Sequence, residues 1–395
     1  MRKDCFIKQS FRYFAFMFRK ILLCLLLSLP VCLYAQPDSS RLRISLLTCG
    51  PGDEIWAQFG HTAIRVTDST AGTDLVYNYG TFSFGPGFEI QFMRGKLLYY
   101  VSYYPYEHFL NEYSDPQRRV EEQVLHINGA EKRAIQDYLV ENAKEENRYY
   151  KYDFFFDNCA TRIRDVFPMA LDKDFAYGQT LPENSRLTFR QIMNEYFYRV
   201  HFERLGCNLL LGSPIDKVMT NSEVMFLPDF LRDGMAGATV AGRKIAPETV
   251  VHYEGPGKVP AGPNWPFIIL SVAAVLTVLG ISIPRLKMMG DFMGFLFLFV
   301  TGMLGCLMLV MWLWTDHQGC QNNYNVLWAL PTNIIYAFLP RKRNKSKYAV
   351  IAIILIFVSL LLHITGIQQL PLLELSPLLL ALLFIYGSII KRKGQ

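Results

Sequence analysis

Phe156-Asp157-Asn158-Cys159-Ala160-Thr161, read together with Phe59-Gly60-His61-Thr62-Ala63-Ile64-Arg65 upstream, decides how the first half of this chain folds. Asp157 and Asn158 are residue types that cap helix N-termini, so a helix starts at Cys159. Ala160, Ile163, Val166 and Phe167 then recur at helical spacing, which predicts a helix over 159–171 with these four facing the core. In the earlier stretch Ala63, Ile64 and Val66 mark a short strand over 62–67, with His61 at its mouth and Gly60 allowing close backbone approach. A cysteine in the first turn of a helix faces free N–H groups and the positive end of the dipole. Both favour the thiolate near neutral pH, the more so beside an imidazole. The pair points to a thiolate nucleophile with a histidine base, and the free amides to a place for the oxyanion of acyl transfer. The competing readings are a buried structural cysteine and a turn histidine.

Working outward, apolar and aromatic runs predict further strands over 42–48, 75–84, 96–104 and 120–127, the first closed by the turn Gly50-Pro51-Gly52-Asp53. A helix over 130–144 has Asn128 as its cap and Ile135, Leu139 and Ala143 on one face, and another is expected over 188–204. Residues 206–265, with repeated Gly and Pro, read as an extended connector with short elements, lying near a membrane. The expectation is an α+β domain over 36–205, an antiparallel sheet with helices.

The remainder is membrane. The chain has 395 residues, 51% hydrophobic and 14% aromatic, too apolar for one ordinary soluble domain. Arg12, Arg19 and Lys20 precede the apolar run 21–33, and Leu33-Tyr34-Ala35 precedes Gln36, which reads as a secretory signal over 1–35. An uncleaved anchor is the rival reading, and Cys24 and Cys32 lack a preceding lipobox of small residues. Either way, residue 36 onward is exported.

Five apolar runs follow, at 266–283, 292–314, 324–339, 348–367 and 370–390. A span takes roughly 20 residues. The third run is short and contains Pro331, so it is expected to be kinked or partly re-entrant. With all five crossing and the first domain outside, Arg285, Lys287, Arg341, Lys342, Arg343, Lys345, Lys347 and the tail 391–395 all fall inside. This predicts a bundle of about five transmembrane helices over 266–390, in the inner membrane, with the first domain in the periplasm. The net charge of +6 is then a topology signal, and nucleic acid is excluded as a partner.

Cys49, Cys159, Cys207, Cys306 and Cys320 show no CxxC and no zinc-like spacing. A disulfide among Cys49, Cys207 and Cys320 stays open in an oxidising periplasm.

The order His-then-Cys, with the histidine on a strand and the cysteine opening a helix, reverses that of papain. It resembles circularly permuted papain-like enzymes of the lecithin:retinol acyltransferase and NlpC type. That resemblance implies a Cys159 nucleophile, a His61 base and a polar third residue on the next strand, for which Asn78 in Val76-Tyr77-Asn78-Tyr79 is the candidate.

A closer resemblance runs along nearly the whole chain from residue 36. Pro51-Gly52-Asp53-Glu54, the His61 motif, Tyr77-Asn78-Tyr79-Gly80-Thr81-Phe82, the Cys159 motif, and Asp316-His317 with Asn322-Asn323-Tyr324-Asn325-Val326-Leu327-Trp328 resemble the Lnb family of Bacteroidetes. It implies a lipoprotein N-acyltransferase. Such an enzyme moves a fatty acyl chain from a membrane phospholipid, through a cysteine thioester, to the N-terminal amine of a diacylglyceryl-cysteine lipoprotein. The acyl donor, the lipoprotein acceptor and the bilayer are the partners, and no metal or cofactor is needed.

The loop 315–325 carries His317 and several amides but no Lys or Arg, and would face the first domain. His317, Asn323 and Asn325 are therefore candidate substrate-binding residues in a polar floor, as are Arg65 and Asn158 inside the two motifs; a plain solvated loop is the rival reading. The rival functions are a thiol hydrolase (a phospholipase or a cell-wall amidase or peptidase) and a non-catalytic lipid- or lipoprotein-binding membrane protein. A polytopic bundle argues against a wall hydrolase, which needs at most one anchor.

Overall fold

The computed structural model describes residues 41–83, 85–257, 259–339 and 345–391. The expected signal segment 1–35 and the tail beyond Lys391 lie outside the described residues.

The first domain is built on strands β1 (Leu42–Cys49), β2 (His61–Asp68), β3 (Thr73–Thr81), β4 (Leu98–Pro105), β5 (Val120–Val124) and β6 (Tyr149–Lys151). Helices α1 (Phe88–Met93), α2 (Tyr106–Ser114), α3 (Gly129–Asn142) and α4 (Cys159–Leu171) alternate with them. With β10 (Val250–Tyr253) the strands form one antiparallel sheet in the order β10-β5-β1-β2-β3-β4-β6. Both faces are covered. Ile44, Leu46, Ile64 and Val66 pack with Ile135 and Leu139 of α3 and Ile163, Val166 and Phe167 of α4. The alternate residues Leu47, Cys49, Ala63 and Val76 pack with Phe109 and Tyr113 of α2. Ile163, Val166 and Phe167 are fully buried, and burying each contributes about 1.5–3 kcal/mol.

Two sequence expectations are corrected here. The helix expected over 188–204 is two, α5 (Phe189–Tyr196) and α6 (His201–Leu210). Phe197 is buried in the first domain, whereas Leu209 and Leu210 pack against the membrane helices, so the chain breaks to serve both. Residues 206–265 hold the short elements expected of them, but these are folded into the first domain where an extended run was expected. They contain α7 (Asn221–Val224), α8 (Pro228–Ala236), and the short strands β8 (Thr239–Val240) and β9 (Arg243–Lys244), which pair with β7 (Phe175–Ala176). Val224 to Leu227, Leu231, Met235 and Ile245 are core residues of the first domain, and β10 completes its sheet. Apolar side chains hidden among the glycines and prolines drive that burial.

Among the described residues the membrane half has four helices long and apolar enough to cross a bilayer: α9 (Trp265–Ser282), α10 (Lys287–Trp314), α12 (Ser346–Ile364) and α13 (Leu372–Lys391). Between α10 and α12 the third run is broken into a 3-10 turn at Tyr324–Leu327 and the short helix α11 (Asn333–Phe338). It still runs from one end of α12 to the other. Tyr324 donates its N–H to Gln368 beyond the C-terminus of α12, while Tyr336 stacks on Tyr348 near its N-terminus. Unwound backbone at that depth must be enclosed by protein. A methyl group on Gly305 of α10 would sit 1.9 Å from the Ala329 carbonyl oxygen, and one on Gly302 would sit 2.5 Å from the Ile334 nitrogen. Bare backbone on α10 therefore lets the broken segment nest against it.

Gly305→Ala should lower the thermal midpoint of the detergent-solubilised protein, at a cost of about 1–3 kcal/mol. Gly294→Ala, in the same helix where a Cβ meets open space, should be neutral or stabilising by up to about 1 kcal/mol. Thermal unfolding of the two variants side by side checks this.

Candidate active site

The loop before α4 is wound tight. Asp153 and Asp157 exchange backbone hydrogen bonds of 3.0 and 2.9 Å, and the Asp153 carboxylate accepts from the N–H groups of Phe155 and Phe156. Asn158 then caps the helix reciprocally with Thr161: its Oδ1 accepts from the Thr161 N–H at 2.9 Å, and its own N–H donates to Thr161 Oγ1 at 2.8 Å. The Asn158 side chain also donates to the carbonyls of Phe154 and Phe226. Every polar atom of that amide serves the fold. Asn158 is thus the helix cap, and it also lines the cavity that holds Cys159 and His61.

Cys159 follows, partly exposed, with the N–H groups of Thr62, Ala160 and Cys159 itself directed at its sulfur. Gly80, at the end of β3, has φ +94°; a methyl group there would sit 3.6 Å from Cys159 Cβ and 4.0 Å from His61 Cε1. Cys159 and His61 thus converge on a single glycine. His61 lies at the first position of β2, opposite Cys49 of β1, with its ring stacked on Tyr113 at 5.9 Å.

Asn78 completes the arrangement. Its Oδ1 lies 2.5 Å from His61 Nε2, its Nδ2 donates to the Tyr104 hydroxyl at 2.9 Å, and that hydroxyl donates to the Glu112 carboxylate at 2.8 Å. A carboxylate can only accept, so the direction of the chain is fixed from its far end. His61 donates from Nε2, which leaves Nδ1 as the proton acceptor. Tyr104, Glu112 and Tyr113 escaped the sequence reading because nothing local marks them; only the pairing of β3 with β4, and α2 behind them, brings them to the histidine.

Burial pushes the Cys159 thiol up to about 11, against the opposing pull of the three amides. Burial also pushes the His61 imidazole down to about 4, with the Asn78 contact opposing and the Arg118 charge reinforcing it. Desolvation outweighs the helix dipole. The resting pair is therefore a thiol and a neutral imidazole, correcting the thiolate expected from sequence. Alkylation of Cys159 by iodoacetamide, followed on its own peptide by mass spectrometry, should quicken by roughly tenfold per pH unit from about pH 7 to pH 9. A plateau below pH 8 would mean that the thiolate is already formed at rest.

The two residues open into a cavity of about 590 Å³, whose wall includes Phe59, Phe82, Tyr99, Tyr152 and Phe154. Phe82 stacks on Phe88 of α1 and Phe88 on Phe92, whose carbonyl lies 3.1 Å from His317 Nε2. His317 sits just past the outer end of α10, so the aromatic wall runs from the cavity to the membrane half.

Four remaining candidates lie elsewhere. Arg65 is ion-paired with Asp74 at 2.6 Å and Glu122 at 3.1 Å and lies over the Tyr106 ring, so it braces the sheet and does not line the cavity. His317 docks on α1 and also stays outside the cavity. Asn323 and Asn325 are fully buried and donate to the carbonyls of Leu209, Leu210 and Asn208 at the end of α6. The expected polar floor is instead a joint between the two halves, fastened also by the Lys151–Asp316 ion pair; within the membrane half Gln368 donates to Asn323 Oδ1 and holds that amide in place. Cys49, Cys159, Cys207, Cys306 and Cys320, the cysteines among the described residues, are free thiols. Asn323→Ala removes the side-chain donor to the Leu210 carbonyl and the acceptor of the Gln368 amide, at about 1–3 kcal/mol; it should lower the thermal midpoint while alkylation of Cys159 per folded molecule stays as in wild type.

Fold and site together define a membrane protein with an α+β periplasmic domain that holds a thiol beside an oriented imidazole. The family model of the Lnb N-terminal periplasmic domain matches residues 31–195, and that of the Lnb transmembrane domain matches residues 262–393. The two matches cover most of the chain in the order the structure has them, and the chain belongs to the Lnb family. Comparisons with curated proteins and with solved structures gave no match.

Proposed function

We propose that the protein is a lipoprotein N-acyltransferase that works through an acyl-thioester on Cys159. The observation that carries this reading is the sulfur beneath three amides, beside a histidine whose free nitrogen is set by Asn78, Tyr104 and Glu112. His61 Nδ1 takes the thiol proton as the sulfur attacks an ester carbonyl of a phospholipid. The oxyanion is received by the amides that face the sulfur. The C–O bond breaks, His61 returns the proton to the lysophospholipid alkoxide, and the acyl group stays on sulfur. The neutral N-terminal amine of a diacylglyceryl-cysteine lipoprotein then attacks the thioester. His61 takes its proton, a C–N bond forms, and the C–S bond breaks to regenerate the thiol.

A neutral resting pair suits this chemistry, because each half-reaction needs His61 unprotonated at its start. The aromatic wall reaching the end of α10 supports a lipid donor. A thiol enzyme away from the bilayer would have to lift acyl chains out at about 0.8 kcal/mol per CH₂.

Wild-type protein given phospholipid for a short time should carry a fatty acyl group on Cys159 that neutral hydroxylamine releases, and should release lysophospholipid. Cys159→Ser should insert and fold with the same thermal midpoint but lose both signals by at least about a hundredfold. A label on another cysteine, or full activity of the serine variant, would overturn the assignment. Release of free fatty acid in place of acylated lipoprotein would indicate hydrolysis.

A further inference from the structure

We propose that Arg118 binds the phosphodiester of the donor phospholipid; this rests on the acyl-enzyme reading above. Arg118 is the only Lys or Arg among the residues lining the cavity that holds Cys159 and His61. It lies just before β5, with its guanidinium 4.6 Å from the centre of the Tyr113 ring, the ring on which His61 stacks. Nε donates to the Gly50 carbonyl at 2.9 Å, which holds the group in place. Nη2 is buried with no hydrogen-bond partner. Among the described residues Arg118 has no ion-pair partner, whereas its neighbour Arg119 pairs with Glu121 and Glu254.

A buried guanidinium donor without an acceptor is costly, and native proteins rarely leave one so. A phosphate, which offers anionic oxygens to a planar fork, would meet the guanidinium where Arg118 lines the cavity. In a glycerophospholipid the phosphate and the ester carbonyls share one glycerol, so a phosphate held at Arg118 brings an ester into the same cavity as the Cys159 sulfur.

The test compares two donors with the same acyl chains in the same vesicles, a phosphatidylglycerol and the corresponding diacylglycerol, which lacks the phosphate. The readout is the initial rate of hydroxylamine-sensitive labelling of Cys159 in the full-length protein. Wild type should favour the phospholipid by about tenfold or more, in line with a charge-assisted hydrogen bond. Arg118→Gln should lose at least about fivefold more rate with phospholipid than with diacylglycerol, and Arg118→Lys should fall between. Equal use of both donors by wild type overturns the proposal whatever the variants do, and so does an equal loss with both donors in Arg118→Gln, which would make Arg118 a brace for the Gly50 turn. Wild-type protein that labels with neither donor overturns the acyl-enzyme reading itself, a result distinct from the other two.

Discussion

The contact that everything else serves is the one between the first turn of α4 and the facing ends of β2 and β3. At Gly80 the sheet has no side chain, and in that space Cys159 and His61 converge. The Asp153–Asp157 turn and the Asn158–Thr161 cap fix where the helix begins, to within a residue. The sheet register then fixes His61 opposite Cys49 and sets Asn78 on the adjacent strand. A shift of one residue in either strand would turn these side chains to the other face. The register thus places the two side chains on one side of the sheet at the end of α4.

A second constraint links this site to the membrane. Arg190, fully buried, is paired with Asp216 and donates to the carbonyls of Asn208, Leu211 and Gly212, closing the end of α6. Asn323 and Asn325 then fasten that same end of α6 to the bundle. Arg204 with Glu374 adds an ion pair across the same junction. Breaking a buried pair of this kind by removing one partner is costly. The domain is therefore not a freely hinged head on a membrane anchor: its position on the membrane helices is held by buried polar contacts.

Much of this was legible in the sequence where the signal is local. The cap at Asn158, the apolar face of α4 and the strand at His61 follow from spacing, and helix 159–171 has the expected bounds. The shortness of the third run and its Pro331 pointed to a kinked or partly re-entrant segment, and the structure has it broken into a 3-10 turn and a short helix. What was not legible depends on distance along the chain. Arg65 looked available beside His61, yet Asp74 and Glu122 occupy it. Asn323 and Asn325 looked like site residues because amides on an outer loop resemble a binding surface, and only the approach of α6 reveals them as a joint. Arg118 carries no motif at all. Its interest arises from a missing partner, which no sequence pattern reports. The thiol's protonation state was misread for a similar reason, since the helix dipole is visible in sequence and desolvation is not.

The most direct test of the central claim is the intact mass of the N-terminal peptide of a lipoprotein, isolated from cells with this protein and from cells lacking it. The expected result is one additional acyl group on the N-terminal amine when the protein is present, and its loss when Cys159 is replaced by serine. An N-terminal amine that stays free in both cases, or is acylated equally in both, would contradict the assignment of this site to acyl transfer onto lipoproteins.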